Sequence, residues 1–434
     1  MARKFSKWLR LDNSAKIFPM MANKNEQNLF CLAFRLYEDV EPAVLNEALV
    51  ATVKRFPSIN VKLKKGVFWH YFEEHTGKPR VYEASPVALR RISPHNAGGF
   101  YFRISYYRNN IYGEFFHALT DGKGAAEFMK SLLFTYFRML GKDVDGEQLV
   151  MTINSPPNPK EYEDSFQTYY QKKKLSELPI DSLKGQTAFA IPGAEFDGPG
   201  MGEINIYVKP ADFLAFCRAH KATVTEMIGA LFILSLYDAK IKPLNLPPQN
   251  IQLFVPINLR RIFPSETVRN FSLFSRIGVM SSDDMKLDEL IARIHEKLTA
   301  DTQKDVLGAK ISTTVYAEKF LPLRLTPLFL KRLIFNISNL FFGKHKKTAT
   351  FSSVGIMKLP ESFRPLVRDC YYSIAANKKS PITVTAVTTF DTMCINFTRS
   401  ITDTDTEKRF VKYLHDAGIE VTVSSNYWEV ENAL

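Results

Sequence analysis

Two spacings of apolar residues alternate along this chain. Period-two runs such as NLFCLAFRLY read as strands, whereas Val44, Leu45, Ala48, Leu49 and Val53 in VEPAVLNEALVATVKRF recur at helical spacing behind Pro42 and Ala43. SINVKLKKGVFWHYFEE predicts a hairpin turning at Lys65 and Gly66. YFRISYYRNNIYGEFFH predicts a second hairpin around Asn109 and Asn110, ending at His117. There the period changes: Ala125, Phe128, Met129, Leu132, Leu133, Tyr136, Phe137 and Leu140 follow the helical rule, and Gly141 closes the helix. His117 therefore stands where a strand gives way to a loop and a helix, a position from which sheets offer side chains to a cleft.

From 142 to about 200 the chain is rich in Pro, Gly, Asn and acidic residues, which reads as a connection between two halves. The second half opens with the strand EINIYV and a helix from Pro210. A capping box, Thr223 to Glu226, leads into TEMIGALFILSLYDA. Strands at IQLFVPI and NFSLFSRIGVM, a helix around LDELIARIHEKL, late strands and a last helix stopped by Gly418 follow. Laid without gaps, EFFHALTDGKGAAEF (114–128) matches NFTRSITDTDTEKRF (396–410) at Phe115/Phe397, Thr120/Thr402, Asp121/Asp403 and Phe128/Phe410. Each copy follows a hairpin and precedes an amphipathic helix, which suggests two similarly folded halves. In this alignment Asp121 keeps its counterpart while His117 faces Arg399, so the histidine is the local specialisation.

At 434 residues the chain is long enough for two domains or one large duplicated one. Its 45% hydrophobic and 24% charged residues supply a sizeable core. A formal charge of +12 favours anionic partners over the plainer reading of a solubility charge only weakly. Scattered Lys and Arg without zinc-finger or RNA-binding strand signatures set nucleic acid aside. Cys31, Cys217, Cys370 and Cys394 lie far apart in apolar settings and read as reduced core thiols, with no metal site among them. The basic N-terminus lacks an apolar secretory segment, so a cytoplasmic location is expected. FLPLRLTPLFLKRLIFNISNLFF (320–342) is apolar, but Arg324, Lys331 and Arg332 break the roughly 18-residue run that a transmembrane helix requires. It reads as core packing, with peripheral membrane contact, flanked by GKHKK (343–347), as the alternative.

His117-Ala-Leu-Thr-Asp121-Gly122 resembles the H-x-x-x-D-G motif of the CoA-dependent acyltransferase superfamily, which includes chloramphenicol acetyltransferase, condensation domains and alcohol acetyltransferases. Three further blocks carry the likeness. The N-terminal region, with Arg55-Phe56-Pro57 and Gly66-Val67-Phe68-Trp69, is similar to bacterial alcohol acetyltransferase-like proteins. VPINLRRIFPSETVRNF (255–271) is similar to the superfamily's P-V-N-L-R segment with its following Asn, and TFSSVGIMKLP (350–360) resembles its S-N-x-G segment.

The resemblance implies an α/β (α+β sandwich) fold of two chloramphenicol-acetyltransferase-like lobes with mixed sheets. The lobes would span residues 1–175, carrying the motif, and 176–434, completing an active-site tunnel. It implies His117 as general base: an alcohol attacking a thioester must lose a proton, and a neutral imidazole accepts it near pH 7. It gives Asp121 an ion pair that holds the loop, with Arg260 as partner and Arg276 or Arg103 as substitutes. Gly122 would supply a backbone shape or closeness that a side chain would block. Ser353, in the usual Asn position, is a candidate for the oxyanion or tunnel. Phe116 stands where condensation enzymes carry the first of two histidines.

The implied reaction moves an acyl group from acyl-CoA, as co-substrate, to an alcohol rather than an amine, without a metal, in a monomer. Two alternatives stay open: a condensation-type enzyme fed by an acyl carrier protein, and a catalytically silent binder of acyl or lipid ligands.

Overall fold

The computed structural model describes residues 8–22, 28–85, 88–93, 97–172, 187–197, 200–334 and 347–426. The first half contributes strands β1 (Trp8–Arg10), β2 (Leu29–Leu36), β3 (Val61–Lys65), β4 (His70–Glu74), β5 (Val81–Glu83), β6 (Phe102–Tyr107) and β7 (Asn110–Phe116). Its long helices are α1 (Pro42–Arg55) and α2 (Gly122–Met139). The second half contributes β8 (Gly202–Val208), β9 (Asn250–Asn258), β10 (Ser272–Met280), β11 (Ala349–Ile356), β12 (Val367–Ile374), β13 (Ile382–Thr389), β14 (Thr392–Arg399) and β15 (Thr422–Ser425). Its helices are α3 (Pro210–Ala219), α4 (Val224–Leu236), α5 (Leu287–Asp301), α6 (Lys304–Lys319), α7 (Leu321–Leu325) and α8 (Asp405–Asp416).

These strands form two mixed sheets, one for each lobe. The first runs β12-β2-β7-β6-β5, with β5 parallel to β6. The second runs β10-β9-β11-β13-β14-β8-β15, with β11 parallel to both neighbours. A small sheet, β1-β4-β3, stands beside them. The amphipathic pattern decides the packing. Phe128, Met129, Leu132, Leu133 and Tyr136 of α2 are buried in the core of the first sheet, together with Leu45, Leu49 and Val53 of α1. α4 is apolar almost all round and is buried in the core of the second sheet, to which α5 and α8 each give one face.

One strand crosses the order of the chain. β12 follows residue 176 in sequence, yet it pairs antiparallel with β2 and forms an edge of the first sheet. It is also tied to the second, because Thr383 Oγ1 donates to the Ile374 carbonyl at 2.7 Å and Thr385 Oγ1 donates to that of Tyr372. A strand belonging to one sheet is thereby stitched to the other.

Local signals correspond closely to the elements. The hairpin at Lys65–Gly66 forms, and the Thr223–Glu226 capping box is complete in both directions. The second hairpin turns one residue earlier than expected, at Arg108–Asn109, where Arg108 takes φ 49°. Gly141 and Gly418 follow their helices at φ 74° and 75°, a backbone region that glycine occupies at little cost. All four cysteines are free and buried. Of the apolar segment 320–342, residues 335–342 lie outside the described residues. Among the described residues no single helix is long and apolar enough to cross a membrane.

Candidate functional site

His117 is fixed at the junction of the two lobes by its backbone, its ring faces and one ring nitrogen. Its N–H donates to the Asn28 carbonyl at 2.8 Å, extending the β2–β7 pairing by one step. The imidazole stacks on Phe18, with centroids 4.5 Å apart and planes at 17°, and meets Phe30 edge-on at 5.1 Å. Nδ1 lies 3.0 Å from Oδ1 of Asn270, a residue of the second lobe. An amide oxygen only accepts, so Nδ1 carries the proton and Nε2 keeps its lone pair. Burial, more than the neighbouring carboxylates of Asp121 and Asp12, sets the imidazole's pKa and holds it below its usual 6.5. At neutral pH the ring is an uncharged base.

Behind Asn270 runs a second layer. Its Nδ2 donates to Asp12 Oδ2 at 3.4 Å, and Asp12 is wholly buried, with Oδ1 accepting from the Ala15 N–H at 2.7 Å. Burial raises the Asp12 carboxyl above its ordinary pKa, opposed by Arg269, whose Nε lies 3.5 Å away. Arg269 is in turn held by the carbonyls of Tyr162 and Arg10, at 3.2 and 2.6 Å. His117, Asn270, Asp12 and Arg269 thus form one buried chain of polar contacts joining three distant stretches of sequence.

Asp121 faces away from this chain. It is the N-cap of α2, with Oδ1 accepting from the Gly124 N–H at 3.1 Å. Arg260 grips both its oxygens, Nη1 at 2.7 Å and Nη2 at 3.2 Å, and the Phe271 N–H donates to Oδ2 at 2.9 Å. Arg260 also donates to the carbonyls of Thr267 and Arg269, so the 259–271 segment is folded around its own arginine. Of the three candidate arginines, Arg260 meets Asp121. Arg103 pairs with Glu114 and Arg276 lies over the Phe254 ring. The ion pair is buried, both side chains being under 10% exposed.

The repeated motif has the same logic in the second lobe. Asp403 also precedes a helix that follows a hairpin, and it pairs with Lys240 of another element. Arg399, at the place of His117, is wholly buried, with Nη1 donating to the Ile401 and Thr402 carbonyls at 2.8 Å.

The structure corrects one expectation. A Cβ on Gly122 would meet nothing nearer than the Tyr372 hydroxyl at 3.7 Å, an ordinary contact, so closeness does not demand glycine there. The demanding position is Gly124, where a Cβ would come 1.8 Å from the Val268 carbonyl oxygen and 2.2 Å from Thr120 Oγ1. Thr120 Oγ1 donates to that same carbonyl at 2.6 Å, closing α2 onto the 259–271 segment. Gly124→Ala should therefore lower stability by about 1–3 kcal/mol or more, whereas Gly122→Ala should change it by under about 1 kcal/mol. Thermal melts of the two variants check this, and equal melting temperatures would contradict it.

Ser353 sits in β11 beside a bulge that precedes Gly355. Ser352, one residue earlier and on the opposite face, hydrogen-bonds Tyr372, the residue over Gly122. Tyr372 approaches the His117–Gly122 loop at Gly122. Asn270 and Asp12 received no role from the sequence. The Asn after the P-V-N-L-R-like segment was visible, but only the fold places it 3.0 Å from a histidine 153 residues away.

No family model matches the sequence, and no curated protein matches it. Solved structures do. Polyketide synthase associated protein 5 from Mycobacterium tuberculosis superposes with a TM-score of 0.59 at 13% identity, over 94% of this chain and 97% of that one. A mutant starter condensation domain of rhizomide synthetase in complex with C8-CoA gives 0.58 at 12% identity, over 95% of each chain. Trichothecene 15-O-acetyltransferase from Fusarium sporotrichioides gives 0.59 at 11% identity, over 96% of each chain. At such identities the likeness is one of fold, and it extends over nearly the whole chain.

Proposed function

From a chain with the two-lobed fold of condensation domains and a trichothecene acetyltransferase, we propose an acyltransferase that moves an acyl group from acyl-CoA to an alcohol. One observation carries this reading: at the lobe junction His117 Nδ1 lies 3.0 Å from Asn270 Oδ1, a contact that places the ring proton on Nδ1 and leaves Nε2 as the acceptor. Nε2 takes the proton of the acceptor hydroxyl as its oxygen attacks the thioester carbonyl. The tetrahedral oxyanion collapses, the carbon–sulfur bond breaks, and the imidazolium returns the proton to the departing thiolate. His117 is the catalytic residue. Asp121 and Arg260 are positioning residues that hold the loop and, through the 259–271 segment, Asn270. The net positive charge suits an anionic thioester such as CoA.

The test is release of free thiol when the protein is mixed with acyl-CoAs of increasing chain length and a panel of alcohols and amines. Thiol release that depends on an alcohol is the expected result. Acyl-CoA binding without turnover across the panel would instead indicate a silent binder, and turnover only with acyl carrier protein thioesters would indicate the condensation-type reaction.

The pH dependence follows from the lowered imidazole pKa. Protonation of Nε2 removes the base, so kcat/KM should fall on the acid side only, with a midpoint below pH 6.5, and stay flat from there to pH 8. A rate that keeps rising through pH 8 would point to another base.

A further inference from the structure

The tip of the β3–β4 hairpin and the stretch after α6 build one surface from segments some 260 residues apart. The Leu328 N–H donates to the Val67 carbonyl at 2.8 Å, and the Lys331 ammonium donates to that of Phe68 at 2.8 Å. The same ammonium stands 3.5 Å from the centre of the Trp69 ring. This lysine clamps the helical residues 328–334 against the hairpin and leaves the apolar side chains around it pointing outward. Phe329 is 76% exposed and Val67 71%, and Leu321, Leu325, Leu333 and Ile334 are each more than half exposed. Single exposed apolar residues are ordinary, but six large ones gathered on two docked segments mark an interaction surface.

Its charge identifies the partner. Residues 62–70 and 319–334 contain no Asp or Glu and carry Lys62, Lys64, Lys65, Lys319, Arg324, Lys331 and Arg332, of which Lys331 is buried in the clamp and Lys64 pairs with Glu73. Nearby, burial first and then the charges of Lys65 and Arg332 push His70 down to about 4. Protruding apolar side chains set among cations match the two requirements of an anionic bilayer surface, apolar insertion and attraction of Lys and Arg to acidic headgroups. We propose that this surface seats the protein on anionic lipid membranes, with Phe329, Leu325 and Val67 entering the headgroup layer. It would do so whatever reaction His117 supports.

Co-sedimentation of the full chain with vesicles tests this, using phosphatidylcholine alone and phosphatidylcholine with phosphatidylserine. Wild type should sediment with the anionic vesicles about tenfold or more above the neutral ones, and high salt should weaken this. Leu325→Glu/Phe329→Glu and, on the hairpin, Val67→Glu should each abolish sedimentation with unchanged melting temperature and unchanged vesicle-free thiol release. Arg324→Gln should weaken the preference for anionic vesicles. No sedimentation of wild type with either vesicle, or sedimentation unaffected by the apolar-to-Glu variants, overturns the proposal. So does a wild-type dimer that these variants turn into a monomer without any vesicle binding, which would make the face a contact between copies. Capture of an acidic carrier protein through the same residues, again without vesicle binding, overturns it too.

Discussion

Replacing His117 by alanine is expected to lower turnover by about 10²- to 10⁴-fold, the usual worth of a positioned general base. Stability should change far less. Loss of the ring leaves Asn270 Oδ1 without its donor, which costs about 1–3 kcal/mol when no water replaces it. Rate and fold are therefore separable in this variant. Measured together, turnover and melting temperature discriminate: a folded His117→Ala protein that retains the full rate would reduce the histidine to a packing residue between Phe18 and Phe30.

Asp121→Ala should damage both properties. The substitution strands Arg260, a buried guanidinium, and breaking such a pair costs about 3–5 kcal/mol. It also removes the N-cap of α2 and the acceptor for the Phe271 N–H, next to Asn270. The melting temperature should fall clearly, and the rate with it, because Asn270 no longer holds the imidazole in line. Asp121→Asn should keep part of the cap and lose the ion pair, giving an intermediate melting temperature. An Asp121 that oriented the imidazole directly would behave otherwise, with Asp121→Asn stable but inactive through the wrong tautomer. An Asp121→Ala protein as stable as wild type would refute the positioning role.

What could be read from the sequence was local. The change of period after His117, the Lys65–Gly66 turn and the Thr223–Glu226 capping box each depend on neighbours within a few residues, and each has its expected structure. The Asp121–Arg260 contact was named through family likeness, since nothing in spacing joins residues 139 apart. The Asn270–Asp12 layer stayed hidden for the same reason, its ends lying 258 positions apart. The motif contains Gly122, whereas the steric demand falls on Gly124 and comes from Val268, a residue the motif does not contain. The apolar segment after α6 read as core because periodicity reports an amphipathic face but not whether anything covers it.

The strand that crosses lobes bears on how this protein is made. Until β12 has left the ribosome, the first lobe's sheet ends at β2, whose backbone groups on that side have no strand to pair with, an edge that invites foreign strands. The nascent first half can collapse around α1 and α2, but it cannot finish its sheet until residue 374 is free, by which time most of the second lobe has also emerged. Translation therefore runs ahead of folding here, and the first lobe does not complete its sheet without the second half of the chain.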